Sequence, residues 1–210
     1  MISAPTVFLV DDDPAVLKGL SRLLRAAGIN VAQFESARAF LEGDYYSAPG
    51  CIVLDVAMPD LDGLGLQEAL THRNSELPII FLTGHGDIDM SVQAMKAGAT
   101  DFLTKPVDEA KLLDAVRAAI KKNALARLER AELDDIRQRY STLTPREREV
   151  LALVASGHLN KQSAAALGTV EQTIKVHRRR VMEKMKASSL AELMRLVNRA
   201  GIVGPDTKSK

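Results

Sequence analysis

Five short runs of mostly apolar residues lie in the first half of the chain, at 6–10, 30–34, 51–55, 79–83 and 101–105. Several are apolar and β-branched at almost every position, the pattern of strands covered on both faces. Between them, apolar residues recur at three- and four-residue spacing. Val16, Leu17, Leu20, Leu23, Leu24 and Ala27 make one stripe, Leu64, Leu66, Ala69 and Leu70 belong to a second, and Leu112, Leu113, Val116 and Ile120 make the last. Asp13-Pro14 reads as an N-cap followed by a first-turn proline, and Gly28 and Gly98 read as helix stops. Strand–helix alternation repeated five times predicts an α/β fold over residues 1–122, a doubly wound parallel five-stranded sheet. In such a sheet the site lies beyond the carboxyl ends of the strands.

The pattern then changes. Residues 123–140 are charged and Ala-rich, carry Leu125, Leu128, Leu133 and Ile136, and contain no Gly or Pro. They predict a helical linker prolonging the last helix; the clean heptads of a coiled coil are absent. From 141 to 203 the chain reads as an all-α domain of four short helices. Thr144-Pro145-Arg146-Glu147 is a capping box with proline at the first helical position, and Ser189-Leu190-Ala191-Glu192 repeats the box for the last helix. Gly157 and Gly168 punctuate the helices between, and the tail 204–210 is expected to be disordered.

Charge divides the chain in the same way. The net +1 of the 210 residues is −6 over 1–122, zero over 123–140 and +7 over 141–210. An acidic part repels a polyanion and a basic part attracts one. With 46% hydrophobic and 26% charged residues the chain is neither disordered nor fibrous, and no apolar run nears the roughly 18 residues that span a bilayer. The opening residues lack a cationic stretch before an apolar core, so no secretory signal is expected. The one cysteine, Cys51, lies in an apolar run and reads as a small buried hydrophobe in a reducing compartment. A cytoplasmic protein without membrane contact is expected.

At the carboxyl edge each relevant strand runs into polar residues: Asp11-Asp12-Asp13, Asp55, Thr83-Gly84 and Lys105-Pro106. Taken singly, Asp13 is a cap and Thr83-Gly84 a turn. Together, Asp11, Asp12 and Asp55 would converge from neighbouring strands. Carboxylates that close repel unless a counter-charge lies among them. A hard divalent cation such as Mg²⁺ supplies one, Lys105 a second, and Thr83 a hydroxyl donor. That set suits a carboxylate accepting a phosphoryl group, a reaction that needs mainly positioning and charge neutralisation.

Val10-Asp11-Asp12-Asp13, Leu54-Asp55 with Met58-Pro59-Asp60 and Asp62-Gly63, Thr83-Gly84, and Lys105-Pro106 together resemble the receiver domain of bacterial two-component response regulators. The resemblance covers about residues 5–122 and implies a flavodoxin-like fold with Asp55 phosphorylated by a sensor histidine kinase. It implies that Asp12, Asp55 and the backbone carbonyl of Ala57 hold Mg²⁺, with Asp11 assisting through water. Thr83 and Lys105 would grip the phosphoryl oxygens across a cis Lys105–Pro106 bond. Phe102 stands at the family's aromatic switch position without a tyrosine's hydroxyl. Thr83-Gly84-His85-Gly86-Asp87 is similar to the variant of this segment found in the NarL/FixJ type; His85 itself reads as an exposed loop residue. His72, His158 and His177 show no metal-ligand spacing.

In the basic part, Ile174, Val181 and Met185 define an inward helix face with His177. Lys175, Val176 and Arg179 share another face and could enter one groove together, cations reading guanine and valine a thymine methyl. Thr173, Arg178, Arg180 and Lys184 are then placed for phosphates. Leu143-Thr144-Pro145-Arg146-Glu147-Arg148-Glu149-Val150-Leu151, Asn160-Lys161-Gln162, Leu167-Gly168, Thr173–His177 and Lys184-Met185 resemble the LuxR-type helix-turn-helix module over about 141–203. By that resemblance 171–185 is the recognition helix. Ser163 stands where the family has an apolar residue and Val170 where it has a capping serine, so this helix-turn-helix is expected to be less stable than usual.

Phosphorylation at Asp55 would favour a receiver surface spanning roughly 87–105 that forms a homodimer or releases the basic module. The dimer would bind double-stranded promoter DNA, with RNA polymerase a further candidate partner. Two other classes stand beside this reading. One is a phosphorylation-switched module whose C-terminal bundle contacts a protein rather than DNA, separable by the steep salt dependence of DNA binding. The other is metabolite turnover, against which the chain has only isolated Gly63-x-Gly65 and Gly84-x-Gly86 pairs. Beyond its own phosphorylation and dephosphorylation, no enzymatic activity is expected.

Overall fold

The computed structural model describes residues 4–43, 45, 47–84 and 88–202, with 88–91 described by backbone alone. His85 and the 204–210 tail lie outside the described residues. The chain forms two compact units, divided between Leu128 and Glu129.

The first unit alternates β1 (Thr6–Val10), α1 (Pro14–Ala26), β2 (Asn30–Phe34), α2 (Ala37–Glu42), β3 (Gly50–Asp55), α3 (Gly63–His72), β4 (Ile79–Thr83), α4 (Ile88–Lys96), β5 (Asp101–Thr104) and the first part of α5 (Glu109–Ser141), whose last residues belong to the second. All ladders are parallel, in the order β2-β1-β3-β4-β5. The doubly wound sheet read from the strand pattern is therefore present. Alternate strand residues feed two cores, as a period of two requires. Phe8, Val10, Ile52, Leu54 and Phe81 pack with Phe40 of α2 and Leu66 of α3. Val7, Leu9, Val53, Ile80 and Leu82 pack on the other face with Leu17 and Leu24 of α1 and Leu112 and Val116 of α5. Cys51 is fully buried there, and burial pushes its thiol up to about 12, which keeps it inert.

Local signals act where expected. Asp13 accepts a hydrogen bond from the Ala15 amide at 2.8 Å to cap α1 above Pro14. Gly50 is confined to glycine: its φ is +148°, and a Cβ there would lie 1.8 Å from the Thr6 carbonyl oxygen.

The second unit holds α6 (Pro145–Ala155), α7 (Asn160–Ala166), α8 (Glu171–Met185) and α9 (Leu190–Arg199). The capping box at Thr144 is complete: Glu147's amide donates to Thr144 Oγ1 at 3.3 Å, and Thr144's amide donates to Glu147 Oε2 at 2.8 Å. Leu151, Val181, Met185, Leu193 and Val197 form one core, and Val150, Val154, Ala164 and Ile174 a smaller one.

The stretch read as a linker is helical, and each unit takes part of it. Asn123 is buried in the first unit, donating to the Glu76 carbonyl at 2.9 Å and accepting from the Gly50 amide at 3.0 Å. Arg127 Nη1 donates to the Ser47 carbonyl at 2.7 Å. Ile136, by contrast, is buried in the second unit's core, where Tyr140 packs as well.

Candidate functional site

Four consecutive strand ends deliver the acidic site. Asp11 and Asp12 follow β1, Asp55 ends β3, Thr83 ends β4 and Lys105 follows β5. One carboxylate oxygen from each of Asp11, Asp12 and Asp55 lies within 4.8 Å of the others. Asp11 and Asp55 are buried, at 2% and 5% exposure, while Asp12 faces solvent. Lys105 Nζ bridges the buried pair, 2.6 Å from Asp11 Oδ2 and 2.7 Å from Asp55 Oδ1. The other oxygen of Asp11 accepts the Asp13 amide at 2.9 Å, which fixes its orientation.

Burial raises the Asp55 carboxyl above its ordinary range, and the neighbouring Asp11 adds to the rise. Hydrogen bonding and charge from Lys105, with the Ala57 amide, resist it. Burial alone would lower Lys105, but its hydrogen bonds to Asp11 and Asp55 overcome that and raise it. A more basic carboxylate is a better nucleophile, and the raised lysine stays cationic beside it.

Thr83 is buried, and its carbonyl accepts the Lys105 amide at 2.6 Å. The Lys105–Pro106 bond is cis. Phe102 is half-buried on β5, its ring 6.2 Å from that of Phe81. Ala57 is exposed in the loop after β3, with its backbone N–H on Asp55. That loop is held at its far end by Asp62 and Gly63. Asp62 Oδ1 accepts the Gly65 amide at 2.7 Å to cap α3, and the Gly63 amide donates to the Val56 carbonyl at 3.0 Å. A Cβ on Gly63 would lie 2.5 Å from the Asp55 carbonyl oxygen, so only glycine lets α3 start this close to the site.

The donor set fits a hard divalent cation. One ammonium among three carboxylates leaves two negative charges uncompensated, and every offered ligand is oxygen.

In the second unit, α7 and α8 meet through a turn with Gly168 at φ +60°. Ile174, Val181 and Met185 of α8 are buried, and Lys175, Val176, Arg179 and Arg180 are exposed. Thr173 and Arg178 are half-buried, and Arg178 Nη1 donates to Asn160 Oδ1 at 3.3 Å. Lys184 turns inward instead of outward. Its ammonium lies 2.6 Å from Glu147 Oε2 and donates to the Thr142 carbonyl at 3.1 Å, joining the end of α8 to the start of α6. Burial pushes the Glu147 carboxyl up, but Lys184 and the Thr144 amide and hydroxyl pull it further down, below the usual carboxylate range.

The sequence reading missed several of these partners. In sequence Glu147 signals only its cap, whereas the exposed i,i+4 pairs Glu171–Lys175 and Arg179–Glu183 are legible in the spacing. Asn160 carries no signal beyond its motif.

Comparison with known proteins bears on both units. The model of the response regulator receiver domain matches residues 7–117, and that of bacterial regulatory proteins of the luxR family matches 141–197. The chain is 46% identical over 196 residues to response regulator protein TodT of Pseudomonas putida, covering 93% of this chain and 86% of that one. It is 42% identical over 200 residues to transcriptional regulatory protein FixJ of Azorhizobium caulinodans, covering 95% of each. Among solved structures, response regulator StyR matches with a TM-score of 0.87 at 48% identity, over 94% of this chain and 100% of that one.

Proposed function

This chain belongs to the response regulators that join a receiver domain to a luxR-family DNA-binding domain, and we propose that phosphorylation of Asp55 switches its binding to promoter DNA. In this reading the receiver is residues 1–122 with 123–140 as helical linker, and the DNA-binding domain is 141–203. The observation that carries it is the convergence of Asp11, Asp12 and Asp55 around the Lys105 ammonium at the carboxyl edge of the sheet.

An Asp55 carboxylate oxygen attacks the phosphorus of a phosphohistidine on a sensor kinase. The phosphorus–nitrogen bond breaks, the imidazole leaves with the electron pair, and an aspartyl phosphate remains. Lys105 and the Thr83 hydroxyl hold the phosphoryl oxygens. Asp11, Asp12, Asp55 and the Ala57 carbonyl are the groups that would hold Mg²⁺, which when bound neutralises charge on the transferring group. Lys105 must then loosen from Asp55 to follow the phosphate. The Thr83 side chain moves inward with it, and Phe102, which lies opposite Phe81 in the sheet, turns into the space it leaves. Water hydrolyses the aspartyl phosphate in time, so the chain turns over nothing but its own Asp55.

Phosphorylation favours a homodimer through the receiver surface around 87–105. Two copies of α8 then face half-sites about one helical turn apart, so the operator is a rough inverted repeat. Lys175, Val176 and Arg179 face base edges, while Thr173, Arg178 and Arg180 face phosphates; Lys184 takes part by anchoring α8 to Glu147. The protein acts in the cytoplasm, and RNA polymerase is the partner through which bound dimers change transcription.

The test is duplex binding by wild type and Asp55→Asn, with and without a small phosphodonor and Mg²⁺, at two salt concentrations. Wild type should tighten with phosphodonor and weaken by orders of magnitude as salt rises, while Asp55→Asn should ignore the donor. Equal response of the two proteins defeats the switch, and salt-independent binding defeats the DNA interface.

A further inference from the structure

The solvent face of α8 carries two neighbouring rows of side chains, each spaced by four residues. Glu171, Lys175, Arg179 and Glu183 make the first, and it is closed upon itself. Lys175 Nζ lies 3.2 Å from Glu171 Oε1, and Arg179 Nε lies 2.8 Å from Glu183 Oε1. Gln172, Val176 and Arg180 make the second, and it is open. All three are exposed, and among the described residues neither the Gln172 amide nor the Arg180 guanidinium has a hydrogen bond or ion pair. Val176 stands between them 42% exposed, an aliphatic side chain amid cations.

We propose that Gln172 is a specificity-determining residue that reads an adenine in each half-site, beside a thymine methyl covered by Val176. The inference rests on the DNA-binding reading of α8 given above. A glutamine amide offers a carbonyl acceptor and an NH₂ donor side by side, and adenine presents the complementary N6 donor and N7 acceptor in the major groove. Guanine presents two acceptors there, N7 and O6, and cannot take both groups of the amide. Gln172 is the second residue of α8, and the first turns of a recognition helix are the part that meets base edges. Val176 follows one turn later, about 6 Å along the axis, which is roughly two base-pair steps. An exposed valine at that distance meets a thymine methyl, so the row reads an A·T-rich element. Arg180, a further turn along, falls to a phosphate.

The paired row cannot supply this selectivity in the same way. Lys175 and Arg179 must first leave Glu171 and Glu183, whereas the Gln172 amide is already free to turn to the groove. A helix-forming role for Gln172 predicts no change in base preference on substitution, which separates the two.

The experiment selects binding sites from random duplex pools at fixed salt, using the full-length chain with beryllium fluoride and Mg²⁺. Wild type, Gln172→Ala and Gln172→Arg are compared, with circular dichroism to show retained helix. Wild type should select adenine at one position of each half-site. Gln172→Ala should flatten that position alone, with a loss of about 5- to 150-fold on the best wild-type site. Gln172→Arg should replace the adenine by guanine. The same consensus from wild type and Gln172→Ala, or a uniform weakening across all sequences, would overturn the inference and leave DNA binding standing. Failure of wild type to select any sequence would instead remove the DNA-binding reading itself.

Discussion

Ser163 sits inside α7 with 0% exposure, next in sequence to Ala164 of the small core, and among the described residues its hydroxyl has no hydrogen-bond partner. A buried hydroxyl that has left water without finding a partner costs about 1–3 kcal/mol. Ser163→Ala removes that group and adds up to about 0.5 kcal/mol of helix propensity, while the lost oxygen leaves less than a methyl-sized gap. The balance favours the variant by about 1–2 kcal/mol. Isoleucine, the apolar residue the helix-turn-helix resemblance suggests, would add bulk to a closed site and bring overpacking of about 1–3 kcal/mol. Alanine is therefore the cleaner test.

Thermal unfolding of the full-length chain mixes two units, so amide hydrogen exchange within α6–α9 is the assay. The slowest amides of those helices should exchange about 5- to 30-fold more slowly in Ser163→Ala, the population change that 1–2 kcal/mol produces. Amides of the five strands should not change. Unchanged or faster exchange in the helices would show that the hydroxyl is satisfied or that its packing outweighs its desolvation. Val170→Ser offers a second, separate gain. Val170 is the N-cap of α8, is 66% exposed and gives no side-chain cap, so a serine there should add about 1 kcal/mol.

Three further outcomes follow from the charges. The Asp55 carboxyl is raised in the folded receiver, so its ionisation opposes folding and its stabilising share is lost as pH rises through the folded value. Urea titrations at several pH values should show Asp55→Asn gaining stability over wild type above about pH 4, and an advantage that does not grow with pH would refute it. Millimolar Mg²⁺ should raise the receiver's unfolding midpoint in wild type and do so much less in Asp12→Ala, because the three carboxylates that would hold the cation come together only in the fold. The lowered Glu147 works with the opposite sign: its contribution is present above the unfolded carboxylate value and disappears as pH falls through the lower folded one. Lys184→Met should therefore destabilise the second unit at neutral pH by more than Glu147→Gln with Lys184→Met together, because the single change strands a buried carboxylate. A double variant less stable than the single would exclude a coupled pair.

The strands were legible because parallel strands covered on both faces admit few polar residues, so their ends show sharply at Asp11, Asp55 and Thr83. The caps at Asp13 and Thr144 were legible because their chemistry is local. What escaped was the direction of long or amphipathic side chains. Lys184 lies on a cationic helix, and spacing alone cannot tell an ammonium that reaches a phosphate from one that reaches inward to Glu147. Asn123, in an Ala- and Lys-rich run, reads as solvated, yet Gly50 and Glu76 bury it. Its partners lie 73 and 47 residues away, beyond any local pattern.

The helix-turn-helix pair is also where local rules fail together. Asp13, Ser36, Asp62, Thr144 and Ser189 each cap a helix with a side chain, whereas α7 and α8 begin at Leu159 and Val170, 69% and 66% exposed, with no side-chain cap. The two buried polar atoms without partners among the described residues, Ser163 Oγ and His177 Nδ1, belong to the same two helices. Each departure costs on the order of 1 kcal/mol, and their sum is a sizeable part of what a unit of this size retains. Natural sequences keep such conflicts mainly at functional sites. A helix pair that is the least stable part of its unit gains most from a bound duplex, because a ligand that favours the ordered state stabilises it in proportion to its occupancy. Protection of α7 and α8 amides should then rise on addition of operator DNA by more than that of α6 and α9, and equal protection of all four helices would mean that the departures are neutral.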